Sequence, residues 1–168
     1  SALPRERQTM LFSATFAPEL NALAAEVTSD ASRVEMGIAA PACTIQHAVC
    51  PVDASRKTEL LLQLLEETDT GSVLVFTRTK HRADRVARQM ERSGFPAAVL
   101  HSDRSQSQRQ AALDGFRSGK YPLLVATDIA ARGLDVAKVS HVINYDMPDD
   151  ADAYIHRVGR TGRAERDG

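Results

Sequence analysis

The fold class of this chain follows from the segment Val73-Leu-Val-Phe-Thr-Arg-Thr-Lys80. It opens with four apolar residues, a length that no apolar run in the sequence exceeds, and then becomes fully polar. A short apolar run of this kind is typical of a strand that is buried on both faces. A helical pattern follows from about Thr79 to Ser93, and Gly94 ends it. The segment therefore predicts a buried strand, a polar loop and a helix in succession.

The same succession of strand and helix recurs along the chain. Because the strands are short, apolar and joined through helices, the sequence predicts an α/β fold with a doubly wound parallel sheet flanked by helices. Residues 28–42 are small, polar and interrupted by glycine and proline, which predicts a linker. The predicted strands are 10–15, 45–52, 73–76, 97–100, 123–126 and 141–145, and the predicted helices are 19–27, 55–67, 79–93, 105–118 and 149–157.

Polar residues follow directly on four of these predicted strands. In a doubly wound parallel sheet the strands end at the same edge, and ligands bind beyond that edge. We call this edge the carboxyl rim and expect it to hold the functional site. The residues that it should bring together are Thr77–Lys80, His101–Asp103, Thr127, Asp128 and Asp146.

The composition limits the possible classes of function. The 168 residues are 43% hydrophobic and 26% charged, which excludes a disordered tail, a collagen-like chain and a coiled coil. The apolar runs are too short to span a membrane, and Ser1–Gln8 lacks an apolar signal region. With a net charge of −1, any nucleic-acid contact must come from local basic clusters. Cys43 and Cys50 form no CxxC pair, so we expect no metal site and reduced thiols in a cytoplasmic protein.

The strongest functional signal is the segment Tyr154-Ile-His-Arg-Val-Gly-Arg-Thr-Gly-Arg163. Its arginines recur at every third position, and no acidic residue lies between Asp152 and Glu165 to neutralise them. The two glycines predict that a helix unwinds here and presents the arginines at its end. Three unpaired guanidinium groups at a helix end suit a polyphosphate. The alternative is a solvated basic surface.

A second segment, Ala126-Thr-Asp-Ile-Ala-Ala-Arg-Gly-Leu-Asp-Val136, begins at the end of a predicted strand. The hydroxyl of Thr127 could bond a phosphate or sugar oxygen, and Gly133 permits close approach of the backbone. Asp135 could accept a hydrogen bond from a ribose hydroxyl. The alternative is an ordinary strand and turn with a local ion pair between an aspartate and an arginine.

These two segments resemble motifs V and VI of the DEAD-box family of ATP-dependent RNA helicases, in helicase superfamily 2. The similarity covers nearly the whole chain, and the motifs occur in the family's order. The resemblance implies a RecA-like sheet. The sequence of residues 45–58 resembles that of bacterial members, which implies a bacterial type. Ser13-Ala-Thr15 is similar to motif III, Val73–Lys80 to motif IV, Gln106–Arg109 to motif IVa, Ala126–Val136 to motif V and His156–Arg163 to motif VI.

The resemblance also indicates which part of such a helicase this chain is. The Q motif, the phosphate-binding GxxxxGK(S/T) loop and the Asp-Glu-Ala-Asp box belong to the family's first lobe and do not occur here. We therefore expect residues 1–36 to be the tail of the first lobe plus a linker, and residues 37–168 to be the second lobe without its last strand. Ser102 and Arg78 stand where the family often has glycine and asparagine, which affects only local RNA contacts.

For the nucleotide, the resemblance implies ATP with Mg²⁺, bound mainly by the first lobe. Arg160 and Arg163 are similar to the arginine fingers that stabilise charge on the γ-phosphate, and would be the catalytic residues. Asp135 is similar to the aspartate that contacts the ribose of the nucleotide and helps to close the lobes. The positions that would couple the ATP site to the RNA face are Ser13, Thr15 and His156, and Arg157 would be structural or coupling.

For RNA, the resemblance implies contacts to the sugar–phosphate backbone. Such contacts do not read the bases, so binding should be independent of sequence and sensitive to salt. The 2′-hydroxyl is the group by which the protein would prefer RNA to DNA. The positions similar to the family's RNA-binding residues are Thr79, Lys80, Gln106, Arg109, Thr127 and Gly133.

The expected function is therefore the second lobe of an RNA helicase, which is a hydrolase that depends on RNA and acts on ATP. Because the phosphate-binding loop and the acidic box are absent, we expect this chain alone to hydrolyse no ATP. The apolar residues of segment 9–27, without their home lobe, predict self-association, or disorder of residues 1 to about 36. The alternatives are a non-catalytic module that docks RNA or protein, and a lobe of a superfamily 2 DNA translocase.

Overall fold

The computed structural model describes residues 4, 6–13, 18–28, 30–34, 45–67, 71–131 and 139–161. The chain divides into two compact units, residues 1–38 and residues 39–168. The assignment of residues 1–36 to a first lobe stays a prediction. The helices are α1 (Pro18–Val27), α2 (Lys57–Glu67), α3 (Lys80–Arg92), α4 (Gln106–Arg117), α5 (Asp128–Ala131) and α6 (Ala151–Val158), and the strands are β1 (Val73–Phe76), β2 (Ala97–Leu100), β3 (Leu123–Ala126) and β4 (His141–Asn144).

The first unit contains the predicted helix but not the predicted strand. Helix α1 ends where the hydroxyl of Thr28 donates a hydrogen bond to the carbonyl oxygen of Ala24, at 2.6 Å. Residues 10–13 form no strand, and the side chains of Met10 and Phe12 are 68% and 82% exposed. The predicted strand is thus wrong in its described part, since a strand needs a neighbouring strand to pair its backbone groups.

The second unit is built on the predicted parallel sheet. Among the described residues the sheet has four strands in the order β2-β3-β1-β4, and every pair is parallel. The register pairs Val73 with both Leu123 and His141, and Leu123 with Ala97. All four strands therefore end level with one another, which forms the carboxyl rim. The predicted strand over 45–52 is wrong, because these residues pair with no strand and are mostly exposed.

The sheet is buried on both faces, as the apolar runs predicted. Leu74 and Phe76 point to one face, where they pack with Leu100, Leu113 and Phe116. The alternate residues of β1 point to the other face, where a second cluster contains Val73, Val75, Leu61, Val86 and Met90. Each such side chain contributes about 1.5–3 kcal/mol on burial, so the two clusters hold the helices firmly against the strands.

The helices begin at the carboxyl rim, where local hydrogen bonds cap them. The hydroxyl of Thr79 accepts from the backbone N–H of Arg82, at 3.2 Å, and caps α3. Ser105 forms a capping box with Gln108 at the start of α4. Asp150 caps α6 through the N–H of Ala153, at 2.6 Å. Each cap stabilises its helix by about 1 kcal/mol and fixes where the loop residues of the rim lie.

Candidate functional site at the carboxyl rim

The structure gathers the polar residues that follow the strands, as the sequence predicted. The ammonium of Lys80, after β1, lies 2.7 Å from Oδ2 of Asp103, after β2. The backbone N–H of Arg78 donates to Oδ2 of Asp146, after β4, at 3.0 Å. The N–H of Thr127, after β3, donates to the carbonyl oxygen of Leu100, at 3.2 Å. These contacts make the rim one continuous surface across all four strands.

Arg157 is the most strongly held side chain of the rim. Its Nε and Nη2 donate to Oδ1 and Oδ2 of Asp128, at 2.6 and 2.7 Å. Its Nη1 donates to Oδ1 of Asn144, at 2.8 Å, and to the backbone oxygen of Asp146, at 2.6 Å. The guanidinium also lies over the ring of Phe76, at 5.0 Å from its centroid, and Arg157 is only 3% exposed.

This environment corrects the expectation of three unpaired arginines. The sequence shows no acid near Arg157, but Asp128 reaches it from 29 residues away and satisfies it in a bidentate ion pair. A guanidinium that makes four hydrogen bonds in a residue only 3% exposed is not available to a polyphosphate. Arg157 is therefore a structural group that ties α6 to β1, α5 and β4.

His156 and Arg160 lie beside this ion pair. Both are half-buried, and both line a small recess together with Asp128 and Arg157. Arg160 follows the end of α6, and its backbone N–H donates to the carbonyl oxygen of Arg157, at 3.2 Å. Its own carbonyl oxygen accepts from the N–H of Val139, at 3.3 Å, so the backbone of Arg160 is fixed in the turn.

Asp146 is a second charged centre of the rim. Its carboxylate accepts from Lys57 at 3.1 Å, from Arg82 at 2.7 Å and from the backbone of Arg78 at 3.0 Å. Burial alone would raise the pKa of Asp146, but the hydrogen bonds from Arg78, Lys57 and Arg82 outweigh it and lower the pKa. The carboxylate thus joins α2 and α3 to the end of β4.

The end of β2 carries a separate cluster. Oδ1 of Asp84 lies 3.1 Å from Nε2 of the buried His101 and 2.6 Å from Nη2 of Arg104. Burial would raise the pKa of Asp84, but these two partners outweigh it and lower the pKa. Nearby, the hydrogen bond from Lys80 lowers the pKa of Asp103. The rim is therefore lined by carboxylates that are held in their charged form.

Five of the predicted RNA-binding residues are described, and they lie along this rim. Lys80 is 40% exposed in its ion pair, and the hydroxyl of Thr79 is used as a helix cap. In the first turn of α4, Nη1 of Arg109 lies 3.5 Å from Oε1 of Gln106. Its Nη2 lies 3.5 Å from the backbone oxygen of Ala130, in α5. The contact with Ala130 brings α4 next to α5. The carbonyl oxygen of Thr127 accepts from the N–H groups of Ala130 and Ala131 at the start of α5.

Other candidates cannot be located in this way. Ser13 lies in the first unit and is exposed. The remaining candidates fall outside the described residues; they are Thr15, Gly133, Asp135 and Arg163. Sequence reasoning missed Asn144, which accepts from Arg157, and Asp84, which pairs with Arg104. It placed Asp128 on the rim but did not identify Arg157 as its partner. No sequence signal marks these pairings, because their members are far apart along the chain.

Two features of the described part of the chain bear on the class of site. No group of three or more His, Cys, Asp or Glu side chains there could hold a metal ion. No helix within the described ranges is long and apolar enough to cross a membrane. The rim combines basic side chains, helix N-termini and hydroxyls, which are groups that bind phosphate.

Fold and rim together define a RecA-like lobe, and comparison with known proteins identifies its family. The model of the helicase conserved C-terminal domain matches residues 56–165. The probable ATP-dependent RNA helicase DDX4 of Pelophylax lessonae is 43% identical over 165 residues, which are 97% of this chain and 23% of that protein. The chain therefore spans about a quarter of this curated relative.

Solved structures agree with this comparison. The E. coli DEAD-box protein SrmB, bound to regulator of ribonuclease activity A, is 40% identical with a TM-score of 0.66, over 69% of this chain and 68% of that chain. S. cerevisiae Dbp5 bound to RNA and ADP BeF3 is 32% identical with a TM-score of 0.81, over 99% of this chain and 44% of that one. The present chain belongs to the DEAD-box helicase family, of which it contains the helicase C-terminal domain.

Proposed function

We propose that this chain is the second lobe of an ATP-dependent RNA helicase, and that it works with a first lobe that binds ATP. The observation that carries the proposal is the recess at the end of α6, where His156 and Arg160 lie beside the Asp128–Arg157 ion pair. Asp128, which lines the recess, directly follows Thr127 of the rim of basic and hydroxyl groups. One edge of the sheet thus offers groups for two polyanions, a nucleotide and a nucleic acid.

On the nucleotide side, Arg160 is the catalytic candidate. It lies in the turn that follows α6, where its backbone is held by Arg157 and Val139. A guanidinium held at this place can meet the γ-phosphate of ATP on the facing lobe and stabilise the charge that develops during hydrolysis. We propose the same role for Arg163 and a ribose contact for Asp135.

On the RNA side, the candidates lie where three helices begin. We propose that Lys80 and Arg109 contact phosphates, while Thr79, Gln106 and Thr127 bond to phosphate or sugar oxygens; Gly133 would let the backbone approach the strand. None of these groups reads a base edge, so the proposed binding is independent of sequence. We propose that the ATP site is coupled to the RNA face through Ser13, Thr15 and His156.

Mg²⁺ belongs to the proposed reaction as the partner of the ATP phosphates. The described residues of this chain offer no cluster of ligands for it. From the family resemblance we assign the ion to the first lobe and to ATP itself. Because the phosphate-binding loop and the acidic box do not occur in this sequence, we expect this chain alone to hydrolyse no ATP. The bacterial type and the cytoplasmic location remain part of the proposal, and the partners are RNA and the first lobe.

The test is ATP hydrolysis by the parent protein with both lobes. Wild type and Arg160→Ala are compared with RNA, with DNA and without nucleic acid, and Arg92→Ala on the exposed end of α3 is the control. We expect RNA but not DNA to stimulate hydrolysis, and Arg160→Ala to reduce turnover by about 10³-fold while both ligands still bind.

Each alternative has its own outcome in this assay. Stimulation by DNA would favour a DNA translocase. RNA binding without any hydrolysis would favour a docking module. Normal turnover of Arg160→Ala would remove the catalytic assignment of this arginine even though the fold is right.

A further inference from the structure

The ion pair between Asp128 and Arg157 lies between the two proposed ligand sites. Asp128 comes directly after Thr127, which we assign to RNA. Arg157 comes three residues before Arg160, which we assign to the nucleotide. Both oxygens of the carboxylate are used, at 2.6 and 2.7 Å, so the pair fixes orientation as well as distance.

The pair is tied to the backbone on both sides. On the β3 side, the carbonyl oxygen of Thr127 accepts from Ala130 and Ala131, so Asp128 begins the short helix α5. On the other side, the carbonyl oxygen of Arg157 accepts from the N–H of Arg160, at 3.2 Å. The ion pair therefore connects the start of α5 to the turn that carries Arg160.

The surroundings of Arg157 restrict its motion. Its Nη1 donates to Oδ1 of Asn144, at 2.8 Å, and to the backbone oxygen of Asp146, at 2.6 Å. The guanidinium also lies over the ring of Phe76. Arg157 is 3% exposed, whereas the Asp128 side chain is 33% exposed. Arg157, in α6, is thus fixed against the ends of the strands, while Asp128, at the start of α5, is the more accessible member of the pair beside the proposed RNA face.

We propose that Asp128 and Arg157 are positioning residues, which hold Arg160 in place relative to Thr127 and so make ATP hydrolysis depend on RNA. Neither side chain touches a ligand in this role. This inference rests on the proposed function, since it needs a nucleotide at Arg160 and RNA at Thr127. Misplacement of a catalytic group by about 1 Å can cost a hundredfold in rate, so a small shift of this pair is sufficient.

The experiment measures RNA stimulation of ATP hydrolysis in the parent protein with both lobes. Asp128→Asn keeps the size of the side chain but removes its charge. The matched control is Asp84→Asn, since Asp84 forms an equally short ion pair with Arg104, at 2.6 Å, and is 30% exposed. Turnover with saturating RNA, turnover without RNA and the RNA concentration for half-maximal stimulation are measured for each protein.

We expect Asp128→Asn to lower turnover at saturating RNA by about tenfold or more, while the RNA concentration for half-maximal stimulation stays the same. The control should keep its stimulation even where its melting temperature falls. If Asp128→Asn does not fold, Asp128→Glu serves, because it keeps the charge and shifts the carboxylate by one methylene; it should retain stability and lose stimulation.

Two results would overturn the inference, and they are distinguishable. If wild type is stimulated by RNA and the folded variants are stimulated equally, the pair is only structural, and the proposed function stands. If wild type itself shows no RNA stimulation, the proposed function fails, and the inference fails with it.

Discussion

Lys80 and Asp103 form an ion pair of 2.7 Å that joins the loop after β1 to the loop after β2, two strands that are not neighbours in the sheet. The pair spans the end of β3, which lies between them. Lys80 is thus held at the rim by a carboxylate that would share its ammonium group with an incoming phosphate. This arrangement makes Asp103 a competitor of RNA at the proposed site.

That competition leads to opposite effects of two substitutions. Lys80→Ala should weaken RNA binding about equally for all sequences and reduce the slope of log K against log salt by about 1. Asp103→Asn should tighten RNA binding, because it releases Lys80 and removes a negative charge from the rim. Binding of fluorescent RNA at several salt concentrations measures both, and equal effects of the two changes would contradict the prediction.

Loss of Arg157 should be the most costly change at the rim. Arg157→Ala leaves the carboxylate of Asp128 without its partner and opens a space beside Phe76, which should lower the free energy of unfolding by about 3–5 kcal/mol. Arg88→Ala, on the exposed side of α3, is the control and should change it by less than about 0.5 kcal/mol. Urea denaturation measures both; similar losses would argue against the buried network.

Stability should fall in acid because of Asp146 and Asp84. Their pKa values in the folded chain are below the ordinary value of about 3.9, so the folded state binds fewer protons there than the unfolded state. Their contribution to stability is complete above the unfolded pKa and is lost as the pH falls through the folded values. Denaturation between about pH 2 and 6 measures this loss, and Asp146→Asn should flatten the curve below about pH 4.

Gly94 is required by the backbone and not by packing. Its φ is +89°, at the end of α3, where its N–H donates to the carbonyl oxygen of Glu91, and a Cβ would meet open space. Gly94→Ala should therefore cost about 1–2 kcal/mol from strain alone. Gly71→Ala also meets open space but has no positive φ, so it should be nearly neutral. Thermal denaturation of the two variants separates strain from packing.

The first unit should promote self-association. Met10 and Phe12 are 68% and 82% exposed, which is typical of a surface that another chain covers. Light scattering of this chain should show a mass that rises with concentration, and Phe12→Ser should reduce the rise. Val49→Ser, at an 88% exposed position of the second unit, is the control. A constant monomer mass for the unaltered chain would contradict the prediction.

The local features of the second unit could be predicted from the sequence because they depend on neighbours along the chain. The apolar run of β1 marks a buried strand, and Thr79 and Ser105 stand where caps are needed before a helical pattern. Residues 45–52 show the limit of this reasoning. Their alternation suits a strand, but a strand forms only where another strand offers its backbone.

The grouping of the rim residues followed equally from local rules, whereas the contacts between them did not. Polar residues after parallel strands must share one rim, so their common location could be predicted from the sequence. The state of Arg157 could not, because its partner Asp128 is 29 residues distant and reaches it across the ends of the strands. Periodicity reports which face of an element is buried; the order β2-β3-β1-β4 selects which side chains meet, and that order depends on packing of the whole sheet.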